Sequence, residues 1–230
     1  MADDTSLRSI EGASLGRAAI EALIAEESSV RLIGCDLAEA DLTELELVGW
    51  HFERCNLHRV DMSRSILTSA RWQSCRGPFS RFVGTDLAEC TFASCDFNNA
   101  VFRNAKLSSA SFTGSKLTGA DFTGAATIDL QFAETLLIGA IMPGQSFRKY
   151  KLRGIDFEQA DLRKTDFREA VLENCSLRDA NLAGTRFDKA DLRGADLGGL
   201  RLIDATLFRG ATISRDQAAQ LLAELNLRIA

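Results

Sequence analysis

Two prolines, two histidines and one tyrosine are all that a chain of 230 residues holds of those types. With His51 and His58 the only imidazoles, a histidine-based nucleophile or metal site has few residues to draw on. There is no phosphate loop, no H-E-x-x-H, no nucleophile elbow and no cluster of metal ligands. No apolar stretch approaches the roughly 18 residues of a membrane-crossing helix. The opening Met1-Ala2-Asp3-Asp4 is acidic and no apolar leader core follows it, so a cytoplasmic, non-secreted chain is expected. Charge of one sign is also lacking, with 27 basic residues against 32 acidic ones. The excess of acid sits in residues 1–30, which carry six acids and two bases. An enzyme is not expected, nor a cofactor, a metal, a small-molecule substrate, a membrane anchor or direct nucleic-acid binding.

What the chain has instead is a beat of five. Reading positions 32, 37, 42 and onward to 207, 31 of 36 are Leu or Phe, two are Met, and one is Trp72. Gly77 and Thr127 are the exceptions. This period matches neither a helix nor a strand, and a short repeat held this long marks a solenoid. The residue two before each centre is small, as at Ala100, Ala105, Ala110, Ala160 and Ala170. The residue just before the centre is often Asp or Asn, and the two after it are polar or Gly. One large and one small inward residue per five suit a narrow packed core, and the remainder suits turns.

Runs such as Ala120-Asp121-Phe122-Thr123-Gly124 and Ala190-Asp191-Leu192-Arg193-Gly194 resemble the pentapeptide-repeat family. The resemblance covers residues 30–210. It implies an all-β solenoid, a right-handed quadrilateral β-helix with twenty residues per coil and short helices at the N- and C-terminal ends. Residues 1–29 are expected to hold a capping helix over 15–27, because an open solenoid end needs covering. Two stretches strain the beat. Arg76-Gly77-Pro78-Phe79 reads as a bulge or short loop. In 126–150, Leu130, Gln145 and Tyr150 are large for the small site, so a loop there would have to add a multiple of five.

Cys35, Cys55, Cys75, Cys90, Cys95 and Cys175 all fall at the small inward position, and four of them are spaced by twenty. Free Cys there acts as a small buried hydrophobe. The competing reading is a metal or redox ladder, which would need native thiols that react readily.

Residues 211–230 open on the capping-box pattern Ser214-Arg215-Asp216-Gln217. The helix that follows either folds over the last coil or packs on a second copy through Leu221, Leu222 and Leu225. Residues 213–229 resemble the C-terminal segment of quinolone- and albicidin-resistance pentapeptide proteins, which implies a tail-to-tail homodimer. That resemblance also implies a non-enzymatic DNA mimic that binds a type II topoisomerase, DNA gyrase, and protects it from such inhibitors. The contacts would then be acidic columns: Asp36, Asp96, Asp156 and Asp196 on one face, and Asp41, Asp61, Asp121 and Asp161 on the next. The same acids can equally serve the turns of the repeat. A structural or adaptor rod binding another protein through a flat face is the alternative. Its contact would be the N-terminal helix or the basic run Arg148, Lys149, Lys151 and Arg153, the latter facing an acidic partner.

Overall fold

A computed structural model of the protein describes residues 7–199 and 206–223. The five-residue beat becomes one side of a square coil. In each five the central side chain points inward, and the residue before it forms a parallel bridge to the neighbouring coil. The second residue after the centre turns the corner at positive φ, as at Glu39 (58°) and Glu44 (62°). Corners close with a hydrogen bond such as Ala40 N–H to the Leu37 carbonyl, 3.2 Å. Left-handed backbone disfavours most side chains, which explains why Gly, Asn and Ser hold many of the corners, while Glu, Arg and Lys hold others. Between coils, Leu37 N–H donates to Asn56 and Asn56 N–H donates to Cys35, at 2.8 and 2.9 Å. The short strands thus satisfy their backbone groups from the layers above and below. The fold is a parallel β-solenoid with four sides per coil. It divides between Gln131 and Phe132 into two compact units.

The first unit contains β1 (Arg8–Glu11), α1 (Arg17–Glu26), β2 (Val30–Ile33), β3 (His51–Glu53), β4 (Arg71–Gln73), β5 (Thr91–Ala93) and β6 (Ser111–Thr113). From β2 to β6 the register is twenty, aligning Leu32, Phe52, Trp72, Phe92 and Phe112. Their rings stack nearly parallel: Phe52 on Trp72 at 4.0 Å, Trp72 on Phe92 at 5.5 Å and Phe92 on Phe112 at 4.4 Å. Phe82, Phe102 and Phe122 form a second ladder at 5.0 and 4.9 Å. The coil also begins earlier than residue 30. β1 pairs with β2 in a register of 22, Arg8 opposite Val30 and Ile10 opposite Leu32. α1 is inserted between them and buries Ile20 and Leu23. That insertion shifts the phase by two and hides Ile10 and Leu15 from the beat.

The bulge or loop expected at residues 76–79 is absent. Arg76 keeps its bridges to Asn56 and Asp96 in unbroken register. Gly77 is instead an inward centre whose space is taken by the next coil. A Cβ there would lie 2.8 Å from Phe97 Cδ1, closer still to Cε1, and 3.2 Å from Leu57 Cβ. The missing side chain is therefore a packing compensation for Phe97.

β7 (Gln131–Ala133) spans the division, and β8 (Lys151–Arg153), β9 (Val171–Ser176), β10 (Asp191–Asp196) and α2 (Arg215–Ala223) follow. In the second unit Phe147, Phe167, Phe187 and Phe208 stack at 5.2, 5.1 and 4.9 Å. Residues 126–150 contain no loop: the turn-and-bridge pattern runs through them without an added five. The oversized Leu130 and Gln145 are simply buried at the small site. The capping box forms, with Gln217 N–H donating to Ser214 Oγ at 3.1 Å and Ser214 N–H to Gln217 Oε1 at 2.6 Å. The Gln217 amide then donates to the Leu192 and Ala195 carbonyls at 2.7 and 2.6 Å, tying α2 to the last described coil.

Candidate interaction faces

The Asp before each centre has a local task. Its Oδ1 accepts the N–H two residues on, as in Asp36 with Ala38 (3.1 Å), Asp61 with Ser63 (2.9 Å) and Asp156 with Glu158 (3.0 Å). Asp96, Asp161 and Asp196 do the same with Asn98, Arg163 and Gly198. This is an Asx turn, and it accounts for the residue type without any partner. Many of these acids also hold a cation: Asp41 with Arg17, Asp61 with Arg81, Asp121 with Arg103, Asp161 with Arg163 and Asp196 with Arg178. The Asp41 carboxyl is held below its usual range by the backbone and side chain of Thr43, and Asp161 by the Arg163 guanidinium. Asp121 is buried, which pushes its carboxyl up, but hydrogen bonds from Thr123 and Arg103 outweigh this and bring it down. Asp36, Asp96 and Asp156 carry no ion pair among the described residues. The two columns are interrupted by Arg76, Lys116, Arg81 and Val101 at bridge positions of the same faces in the first unit.

Charge is distributed unevenly among the coils. Residues 32–50 carry five acids (Asp36, Glu39, Asp41, Glu44, Glu46) and no Lys or Arg. Residues 51–85 carry six arginines against Glu53 and Asp61. Glu39, Glu44 and Glu46 escaped a reading confined to the Asp column because the first two sit at corners. In the second unit the basic run is matched by the following coil. Arg148 and Lys149 face Glu169 at 2.9 and 3.9 Å, while Lys151 and Arg153 face Glu173, both at 2.8 Å. Such exposed pairs add little stability. Four cations over two anions leave a net positive face.

All six cysteines are free and buried. Four of the thiols donate to the carbonyl 23 residues earlier: Cys55 to Leu32 (3.3 Å), Cys75 to Phe52 (3.2 Å), Cys90 to Leu67 (3.0 Å) and Cys95 to Trp72 (3.5 Å). Ser65, Thr85 and Thr185 make the same bond with their hydroxyls. The position is a core donor slot, and burial pushes the Cys90 thiol up to about 12 and Cys175 to about 11. Hydrogen bonding with the neighbouring Cys55 and Cys95 thiols, together with burial, pushes Cys75 up as well. With their pKa raised, the Cys75, Cys90 and Cys175 thiols are poor nucleophiles. At the C-terminal end, Leu221 is half-buried and Leu222 is 36% exposed, while Leu225 lies outside the described residues.

The family model for pentapeptide repeats matches eight copies, over residues 35–71, 85–124, 146–179 and 170–207. The chain belongs to the pentapeptide-repeat family. Among solved pentapeptide-repeat structures it is similar to full-length QnrB1, a plasmid-mediated fluoroquinolone resistance protein. That similarity has a TM-score of 0.63 and 19% identity, covering 95% of this chain and 100% of QnrB1. It is also similar to HetL, involved in heterocyst differentiation regulation in the cyanobacterium Nostoc sp. strain PCC 7120. There the TM-score is 0.57 at 19% identity, covering 86% of this chain and 94% of HetL. At these identities the likeness is one of fold. No curated protein matches the chain in sequence. Among the described residues no helix is long and apolar enough to cross a membrane, and no group of side chains is arranged to hold a metal ion.

Proposed function

We propose that this pentapeptide-repeat protein is a non-enzymatic binding protein that engages a type II topoisomerase, DNA gyrase, in the place of DNA. On this reading it shields the enzyme from quinolone- or albicidin-like inhibitors. The observation that carries the reading is the end-to-end structural match to a fluoroquinolone resistance protein, leaving none of QnrB1 uncovered. Asp36, Glu39 and Glu46 of the coil of residues 32–50, together with Asp96, supply groups that can stand in for phosphates. The C-terminal segment would join two copies, with Leu221, Leu222 and Leu225 as its contacts. The test is gyrase supercoiling with added protein, with and without a fluoroquinolone. Protection from the drug or inhibition of supercoiling at micromolar protein is the expected result, and an unchanged reaction in both arms would remove the proposal.

A second reading is an adaptor that binds some other protein through a flat face. It is favoured by the ion pairs on Asp41, Asp61, Asp121, Asp161 and Asp196, which mute the acidic columns. The net positive face around Arg148, Lys149, Lys151 and Arg153 would be its contact. Charge reversal at Lys149 and Lys151 would then abolish binding while leaving any effect on gyrase intact.

A further inference from the structure

Phe79 is the one aromatic among the described residues that turns a corner at positive φ, at 60°, and it is 50% exposed. Elsewhere these corners carry Gly, Asn, Ser, a charged side chain or, at one place, Gln159. A bulky residue in left-handed backbone is strained, and an exposed ring gains little burial to offset that strain. The ring does not stand alone. Arg59 lies over its face at 6.0 Å, and His58 meets it edge-on at 6.3 Å. Arg76 begins the same side of the coil and carries no ion pair among the described residues. Pro78 lies between Arg76 and Phe79 and is part-exposed.

We propose that Phe79, Arg59, Arg76 and Pro78 form a docking surface for a short acidic segment of a protein partner that also carries an aromatic or large apolar side chain. Exposed Phe and Arg together are what the centres of protein interfaces are enriched in. The surroundings limit the ligand. Asp36, Asn56, Arg76 and Asp96 are successive bridge partners on this face, so acids bound the cationic rows within about three layers, or roughly 14 Å. Duplex DNA carries one charge per about 1.7 Å of its axis, and a duplex lying along this face would meet Asp36, Glu39 and Asp96. A brief acidic stretch fits between them, its carboxylates on Arg59 and Arg76 and its apolar side chain on Phe79 and Pro78. The inference does not rest on the topoisomerase reading, which uses the acidic rather than the cationic rows.

The probe is a fluorescein-labelled peptide, Glu-Asp-Phe-Asp-Glu-Phe, titrated with the full chain and followed by anisotropy. Saturable binding is expected, weakened about tenfold by Arg76→Glu and by Phe79→Asn. Arg178→Glu, which alters a cation in the other unit, should leave binding unchanged. Phe79→Asn installs a residue that tolerates left-handed backbone, so its melting temperature should equal or exceed that of the parent, separating docking from folding. Absence of saturable binding, equal binding by all variants, or tighter binding of a short DNA duplex through the same residues would each overturn the proposal.

Discussion

Replacing Gly77 by Ala is a sharp probe of the packing argument, because local propensity and core geometry predict opposite signs. Gly77 does not need positive φ, so Ala would ordinarily stabilise by about 0.4–1 kcal/mol through the unfolded chain. The core argues the reverse. The new methyl would meet the Phe97 ring at 2.8 Å or less and Leu57 at 3.2 Å. Phe97 has little room to move away, since Trp72, Phe82 and Phe92 surround its ring at 5.9, 5.7 and 5.6 Å. Overpacking of this kind costs about 1–3 kcal/mol, which exceeds the entropic gain, and a net loss of about 1–2 kcal/mol is expected. Phe97→Leu in the same chain should recover much of that loss, although alone it leaves a void beside Gly77. Urea unfolding read by tryptophan fluorescence reports on the right place, because Trp50 and Trp72 both belong to the first unit. A G77A protein at or above parent stability, or a double variant showing no favourable coupling, would refute the reasoning.

The C-terminal end should depend on Gln217. Ala there leaves the Leu192 and Ala195 carbonyls without their donor, at about 1–3 kcal/mol each, and hydrogen exchange in β10 should accelerate while β2–β6 stay protected. Acid should destabilise the second unit in a defined window. Asp161, Asp166 and Asp191 are held below the usual carboxylate range by Arg163, Arg168 and Arg193. Their contribution is therefore present above the unfolded carboxylate value of about 3.9 and lost as pH falls through their lower folded values. Melting temperature should change little between pH 7 and 5 and fall below about pH 4; a rise on acidification would contradict this.

The coil architecture was legible because each five repeats one local instruction, with the inward side chain and corner residue visible in a single unit. The core role of Cys35, Cys55, Cys75 and Cys95 followed from phase alone. The failures share one cause: the relevant contact crosses a layer, outside any window of five. Gly77 reads as a turn until Phe97, twenty residues on, is seen to occupy its space. Ile10 and Leu15 are in step with Leu32 and Leu37 in space but out of step in sequence, because α1 intervenes. Gln217 reads as half of a capping box, and its bonds to Leu192 and Ala195 have no sequence signature. The candidate faces were the least legible part. The Asp columns were recognisable, but most of their ion pairs come from outside the same five, as Arg81 on Asp61, Arg103 on Asp121 and Arg178 on Asp196, and only Arg163 reaches Asp161 from within it. Glu39, Glu44, Arg59 and Phe79 emerge only when residues are aligned by twenty.

Competition with DNA tests whether this chain occupies a topoisomerase in the place of DNA. Purified gyrase holding a labelled DNA duplex would be titrated with the protein, and the release of duplex followed. Displacement should saturate, weaken when DNA is raised, and decline when Asp36, Glu39 and Asp96 are made neutral. Duplex retained in full at the highest protein concentration, with supercoiling equally unaffected, would contradict it.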